Sequence, residues 1–110
     1  AGKQFYSYQY VADSVSGLLT ILLCGKNGEA YNIAEEHSDI MLKDLAAAIA
    51  DISGKKVVFE IPDSVEAAGY STATKARLNG LKLQALGWKP KYDIKSGIER
   101  TIAILKEIHV

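Results

Sequence analysis

The sequence predicts a small α/β domain, and three observations carry that prediction. Three stretches repeat apolar residues at the helical period: Val15, Leu18, Leu19 and Leu22; Leu42, Leu45, Ala46 and Ile49; and Ile94, Ile98, Ile102, Leu105 and Ile108. Between them lie short runs rich in β-branched and aromatic residues, Phe5 to Val11, Ala30 to Ala34 and Val57 to Ile61. The chain has 110 residues, of which 48% are apolar, enough for one core, so residues 1–110 are read as a single domain. The expected order is β-α-β-α-β-loop-α-α.

Each element has a local reason. Phe5 to Val11 alternates aromatic and polar residues in its second half, which puts Tyr6, Tyr8 and Tyr10 on one face of a strand. Asp13 suits a helix N-cap, and Gly25 suits the left-handed position that ends the helix after Cys24. Ile21 and Leu23 widen the apolar face of that helix beyond a single stripe. Lys26-Asn27-Gly28-Glu29 forms a turn into the strand at Ala30. A second helix spans Met41 to Ser53 and stops at Gly54, and Pro62 ends the strand Val57 to Ile61. Asp63 to Lys75, with Gly69-Tyr70-Ser71-Thr72 at its centre, reads as a long loop with a turn of helix. Leu81 to Leu86 is a short helix closed by Gly87. Pro90 blocks its continuation, and Asp93 caps the last helix.

Composition and motifs exclude several classes of function. Thirteen basic and thirteen acidic residues balance, so neither nucleic acid nor an anionic membrane is an expected partner. The longest apolar run, Gly17 to Cys24, contains Thr20 and falls well short of the ~20 residues of a spanning helix. The single cysteine, Cys24, excludes an internal disulfide, fits a reducing cytoplasm and reads as a small buried apolar residue. The N-terminal residues lack an initiator Met, a basic region and an apolar core, so they are no secretory leader, and the chain reads as a piece of a longer protein. His37 reads as a loop brace and His109 as a frayed terminal residue, with no ligand spacing for a metal. Gly25-Lys26-Asn27-Gly28 follows a helix rather than a strand, so it is neither a phosphate loop nor a dinucleotide turn.

Several segments resemble, in order, the C-terminal third of the extended short-chain dehydrogenase/reductase family, the NAD-dependent nucleotide-sugar epimerases and dehydratases. Tyr10-Val11-Ala12-Asp13 is similar to that family's strand-to-helix junction, and Gly28-Glu29-Ala30-Tyr31-Asn32-Ile33 to its Gly-Glu-x-Tyr-Asn-Ile strand. Leu45-Ala46 matches the helix that follows. Lys82-Leu83-Gln84-Ala85-Leu86-Gly87-Trp88-Lys89-Pro90 resembles Lys-x-x-x-Leu-Gly-Trp-x-Pro, and Gly97-Ile98 with Thr101 matches the closing helix. The same residues make sense as architecture: Asn32 can bond loop backbone through its amide, and Trp88 can plug apolar space.

The resemblance implies a division of labour. A separate domain binds NAD and carries a Tyr-x-x-x-Lys pair, while the C-terminal lobe covers the nucleotide-sugar. None of the six tyrosines here has a lysine four positions later, so this chain carries no catalytic residue and no cofactor-binding residue by that motif. NAD is implied for the whole protein only. Many family members place an arginine on the substrate diphosphate seven residues before the aspartate matched by Asp13; that position is Tyr6, a phenol that supplies one hydrogen bond and no charge, or else packs in the strand. A second family arginine precedes the Lys-x-x-x-Leu-Gly-Trp segment. Arg77, with Lys75 as a weaker choice, is the candidate there; a solvated charge is the alternative. The leading expectation is therefore a substrate-binding lobe. A non-catalytic interaction module derived from that lobe and an unrelated α/β domain stand as alternatives. The broad apolar face of the first helix and the open strands predict a homodimer.

Overall fold

A computed structural model describes residues 2–69 and 74–108. Tyr70, Ser71 and Thr72 at the centre of the long loop, and the expectation for His109, lie outside the described residues. The elements are β1 (Phe5–Ser7), α1 (Val11–Cys24), β2 (Asp39–Met41), α2 (Leu42–Ser53), α3 (Ser64–Ala68), β3 (Lys75–Ala76), α4 (Leu81–Gln84) and α5 (Ile94–Glu107). The mixed sheet has the order β2-β1-β3. β1 is central, antiparallel to β2 with Tyr6 opposite Ile40, and parallel to β3 with Tyr6 beside Ala76. The α/β class stands, while the positions of two strands differ from the sequence reading.

Ala30 to Ala34 is extended but joins no ladder among the described residues, and the strand forms instead at Asp39–Met41. Val57 to Ile61 is likewise no strand: Ile61 is 92% exposed, and Val58 and Phe59 are also exposed. β-Propensity reports a fit to a pleated surface beside other strands, and neither run pairs with a strand among the described residues. The third strand is Lys75–Ala76, inside what reads as loop; the backbone bond from Phe5 N to Thr74 O (2.9 Å) draws it to β1. The turn of helix in the long loop is α3, closed by a capping box between Asp63 and Glu66.

Two helix ends also differ. α1 starts at Val11 with Tyr10 as its N-cap, so Asp13 sits inside the first turn rather than before it. Asp13 is only 2% exposed, and its carboxylate accepts the backbone N–H groups of Lys91 (2.8 Å) and Tyr92 (3.0 Å). Its charge closes a tertiary contact across 78 residues of chain instead of capping its own helix. Gly25 has φ −71°, not a left-handed conformation; it is needed because a Cβ there would collide with Ile21 O, to which its N–H is bonded. Gly54, by contrast, ends α2 with φ 70°, as expected. Cys24 is exposed, contrary to expectation, because it stands with the likewise exposed Leu22 and Leu23 on the uncovered last turn of α1.

Packing falls into two parts. Leu83, Ala34 and Trp88 form the buried apolar cluster between α1 and α4. Trp88 is 3% exposed; its indole N–H donates to Asp13 O (3.1 Å) and Ser16 Oγ (3.0 Å), so the ring is buried without an orphaned donor. A Cβ at Gly17 would stand 3.0 Å from Ile33 Cγ2, so this helix face must stay small for the cluster to close. The apolar stripes of α2 and α5 face each other in the second part. Leu45, Ile49, Ile98, Ile102 and Leu105 line a cavity of about 320 Å3, closed at one end by the Tyr10–Tyr92 ring pair (centroids 4.6 Å). Asp93 caps α5, accepting from Ser96 N at 2.8 Å.

Candidate functional site

The alternation of side chains along a strand sorts the sheet residues into two faces. Phe5, Ser7, Asp39, Met41 and Lys75 share one face; Tyr6, Ile40 and Ala76 share the other. The contacts agree. The Arg77 guanidinium lies 5.3 Å from the centre of the Phe5 ring, Ser7 Oγ donates to Asp39 Oδ1 (2.6 Å), and Tyr6 faces Tyr8 with ring centroids 6.4 Å apart. The structure therefore brings Arg77 and Lys75 together on one face and places Tyr6 on the opposite one.

Arg77 borders a recess of about 270 Å3 with Glu36, Asp39, Leu78, Asn79 and Gln84 among its walls. Loop hydrogen bonds hold these walls. Leu78 N donates to Ser7 Oγ (2.8 Å), Asn79 Oδ1 accepts from Leu81 N (2.9 Å), and Gln84 Nε2 donates to Ala34 O (3.1 Å). Asn32 bonds loop backbone as expected, donating from Nδ2 to Asn79 O (3.2 Å). The recess offers one guanidinium, two carboxylates and two amides, a set able to grip an oxyanion at one point and several hydroxyls around it. The α2–α5 cavity is larger, but its walls are mainly the apolar core stripes and offer little of that chemistry.

Sequence reasoning missed Ser7, Asp39, Asn79 and Gln84. The only signal was Ser7, a small polar residue between two tyrosines of an aromatic strand. His37 does brace its loop: its Nδ1 pairs with Glu35 Oε1 at 2.5 Å, and its backbone N–H donates to Glu35 Oε2. The Glu35 carboxylate raises the imidazole pKa, first through that hydrogen bond and then through charge. Glu36 completes a group of three oxygen and nitrogen donors with Glu35 and His37 that a reading of Cys and His spacing passed over. Lys82 bonds the Glu29 carboxylate and Ala30 O and lies over the Tyr31 ring; the Lys82 hydrogen bond lowers the Glu29 pKa.

No family model matches the chain. Its architecture is that of solved epimerase/dehydratase structures. Against dTDP-glucose 4,6-dehydratase of Bacillus anthracis in complex with NAD, the TM-score is 0.81 at 21% identity, covering 96% of this chain and 32% of that one. Against UDP-glucuronic acid 4-epimerase of Bacillus cereus in complex with NAD it is 0.74 at 21% identity, covering 98% and 32%. In sequence, the chain is 32% identical over 112 residues to the dTDP-D-glucose 4,6-dehydratase of Homo sapiens, covering 97% of this chain and 31% of that protein. It is 31% identical over 108 residues to dTDP-glucose 4,6-dehydratase 1 of Escherichia coli K12, covering 92% and 29%. Nearly the whole chain is thus similar to dTDP-glucose 4,6-dehydratases in sequence, and its fold is that of solved epimerase and dehydratase structures. It spans about a third of the length of the relatives it matches. Among the described residues, no helix is long and apolar enough to cross a membrane.

Proposed function

We propose that this chain is the substrate-binding, C-terminal lobe of an NAD-dependent nucleotide-sugar epimerase or dehydratase. The observation that carries the reading is that nearly all of the chain matches only about a third of each dTDP-glucose 4,6-dehydratase. In this reading another part of the protein binds NAD and carries out the hydride chemistry, and this lobe covers the sugar nucleotide. Arg77 contacts a phosphate oxygen, and Lys75 on the same face adds charge. Asp39, Glu36, Asn79 and Gln84 take sugar hydroxyls. Tyr6, across the sheet, serves a different part of the substrate. One exposed cysteine suits a cytoplasmic setting. A second reading, a non-catalytic interaction module derived from the same lobe, is favoured by one observation: the exposed apolar face of α1.

Calorimetric titration separates the two. A nucleoside diphosphate sugar is expected to bind in the millimolar range or tighter, and Arg77→Ala to weaken it roughly tenfold or more, as befits a charge-assisted bond worth ~1.5–3 kcal/mol. NAD at millimolar concentration is expected to give no saturable heat, because the chain has no glycine turn for a pyrophosphate. Saturable NAD binding would refute the division of labour. Absence of any sugar-nucleotide binding would favour the interaction module.

A further inference from the structure

We propose that Ser7 is the positioning residue for Arg77, setting the guanidinium through a hydroxyl relay that joins all three strands of the sheet; this rests on the reading of Arg77 as the substrate contact. The Ser7 hydroxyl donates its proton to Asp39 Oδ1 on β2 (2.6 Å), which leaves an oxygen lone pair for the Leu78 N–H (2.8 Å), just past β3. That N–H belongs to the Arg77–Leu78 peptide bond, so holding it fixes the backbone rotation on the C-terminal side of Arg77. The other end of Arg77 is held from the same strand face. Phe5, two positions before Ser7, lies under the guanidinium at 5.3 Å. One strand face thus sets both the peptide and the head group of the arginine. The bond to Ser7 also occupies one oxygen of Asp39, the carboxylate that would otherwise compete for the guanidinium within the recess. A β-sheet hydroxyl with both its proton and a lone pair committed to long-range partners has a single orientation, and neither partner is close in sequence.

The test uses the chain itself with Ser7→Ala, Ser7→Thr and Arg77→Ala, read by amide hydrogen exchange and by titration with a nucleoside diphosphate. Ser7→Ala is expected to speed exchange at Leu78 about three- to tenfold, the equivalent of one hydrogen bond, and to weaken nucleotide binding by a similar factor. Amides at Phe5 and Tyr8 are expected to keep their rates, and Ser7→Thr, which retains the hydroxyl, to restore both readouts. Unchanged Leu78 exchange in Ser7→Ala overturns the relay, as does an equal rise at Phe5 and Tyr8, which marks general loosening of the sheet. Nucleotide affinity lost in Arg77→Ala but kept in Ser7→Ala also overturns it. If the wild-type chain takes up no nucleoside diphosphate, the reading of Arg77 fails, and Leu78 exchange alone decides the relay.

Discussion

Asp13 and Asp93 begin as the same inference, an acidic residue before an apolar helix, and end in different roles. Asp93 is exposed and bonds its own helix at Ser96. The Ser96 backbone N–H first, and its hydroxyl second, hold the Asp93 carboxyl below its ordinary range. A depressed folded-state pKa stabilises above the unfolded value, and that contribution disappears as pH falls through the folded one. The difference in urea midpoint between wild type and Asp93→Ala is therefore expected to be constant at neutral pH and to shrink as pH drops below about 4. Asp13 is buried, and removing it orphans the N–H groups of Lys91 and Tyr92. Asp13→Ala is expected to cost about 1–3 kcal/mol for each donor left unpaired, seen in the same urea melts at pH 7. The sequence exposes an aspartate at a helix start but not its burial, because the partners lie 78 and 79 residues away. The same holds for the recess. Arg77 was legible through its charge beside a recognisable segment, whereas Ser7 and Asp39 acquire a role only when β1 and β2 pair.

Among the elements, α1 departs most from a core helix. Its apolar stripe faces outward: Leu22 is 77% and Leu23 80% exposed, and Val15, Leu18 and Leu19 are exposed as well. The face turned inward carries Asp13 and Gly17, the small and polar residues that let Trp88 close against it. Periodicity located the helix correctly but not its orientation, since two faces of one amphipathic helix compete for cover and only one is covered here. The runs 30–34 and 57–61 tell the same story for strands: suitable residues are present, and no ladder forms without a neighbour. Replacing Leu22 and Leu23 together by lysine is expected to leave thermal stability nearly unchanged, within about 0.5 kcal/mol per site. It is also expected to reduce self-association at the same protein concentration, as sedimentation velocity would record. A large loss of stability would mean that α1 buries this face within its own chain.

At the scale of the whole molecule, the radius of gyration is 16.4 Å with extents of 45 × 37 × 21 Å, against about 13 Å for a compact chain of this length. A flat layer with so few apolar side chains fully buried leaves much of its apolar surface for another surface to cover. Homodimerisation at ~10–100 μM is the expected outcome for the chain in isolation, and a monomer mass by light scattering across that range would show that the layer is self-sufficient. The fold class was readable because helical stripes survive whatever covers them, and the breadth of the apolar face of α1 already marked it as uncovered within the chain; the small and polar face that packs on Trp88 was not readable, because its partner lies 75 residues away. The central claim, that this layer receives the sugar nucleotide and leaves NAD to another part of the protein, is tested most directly by chemical-shift mapping of the labelled chain with each ligand. A nucleoside diphosphate sugar is expected to shift Lys75 and Arg77, and Leu78 and Asn79 just past β3, in a saturable way, while NAD shifts none of them. Saturable NAD shifts, or sugar-nucleotide shifts confined to the α2–α5 cavity, would contradict the claim.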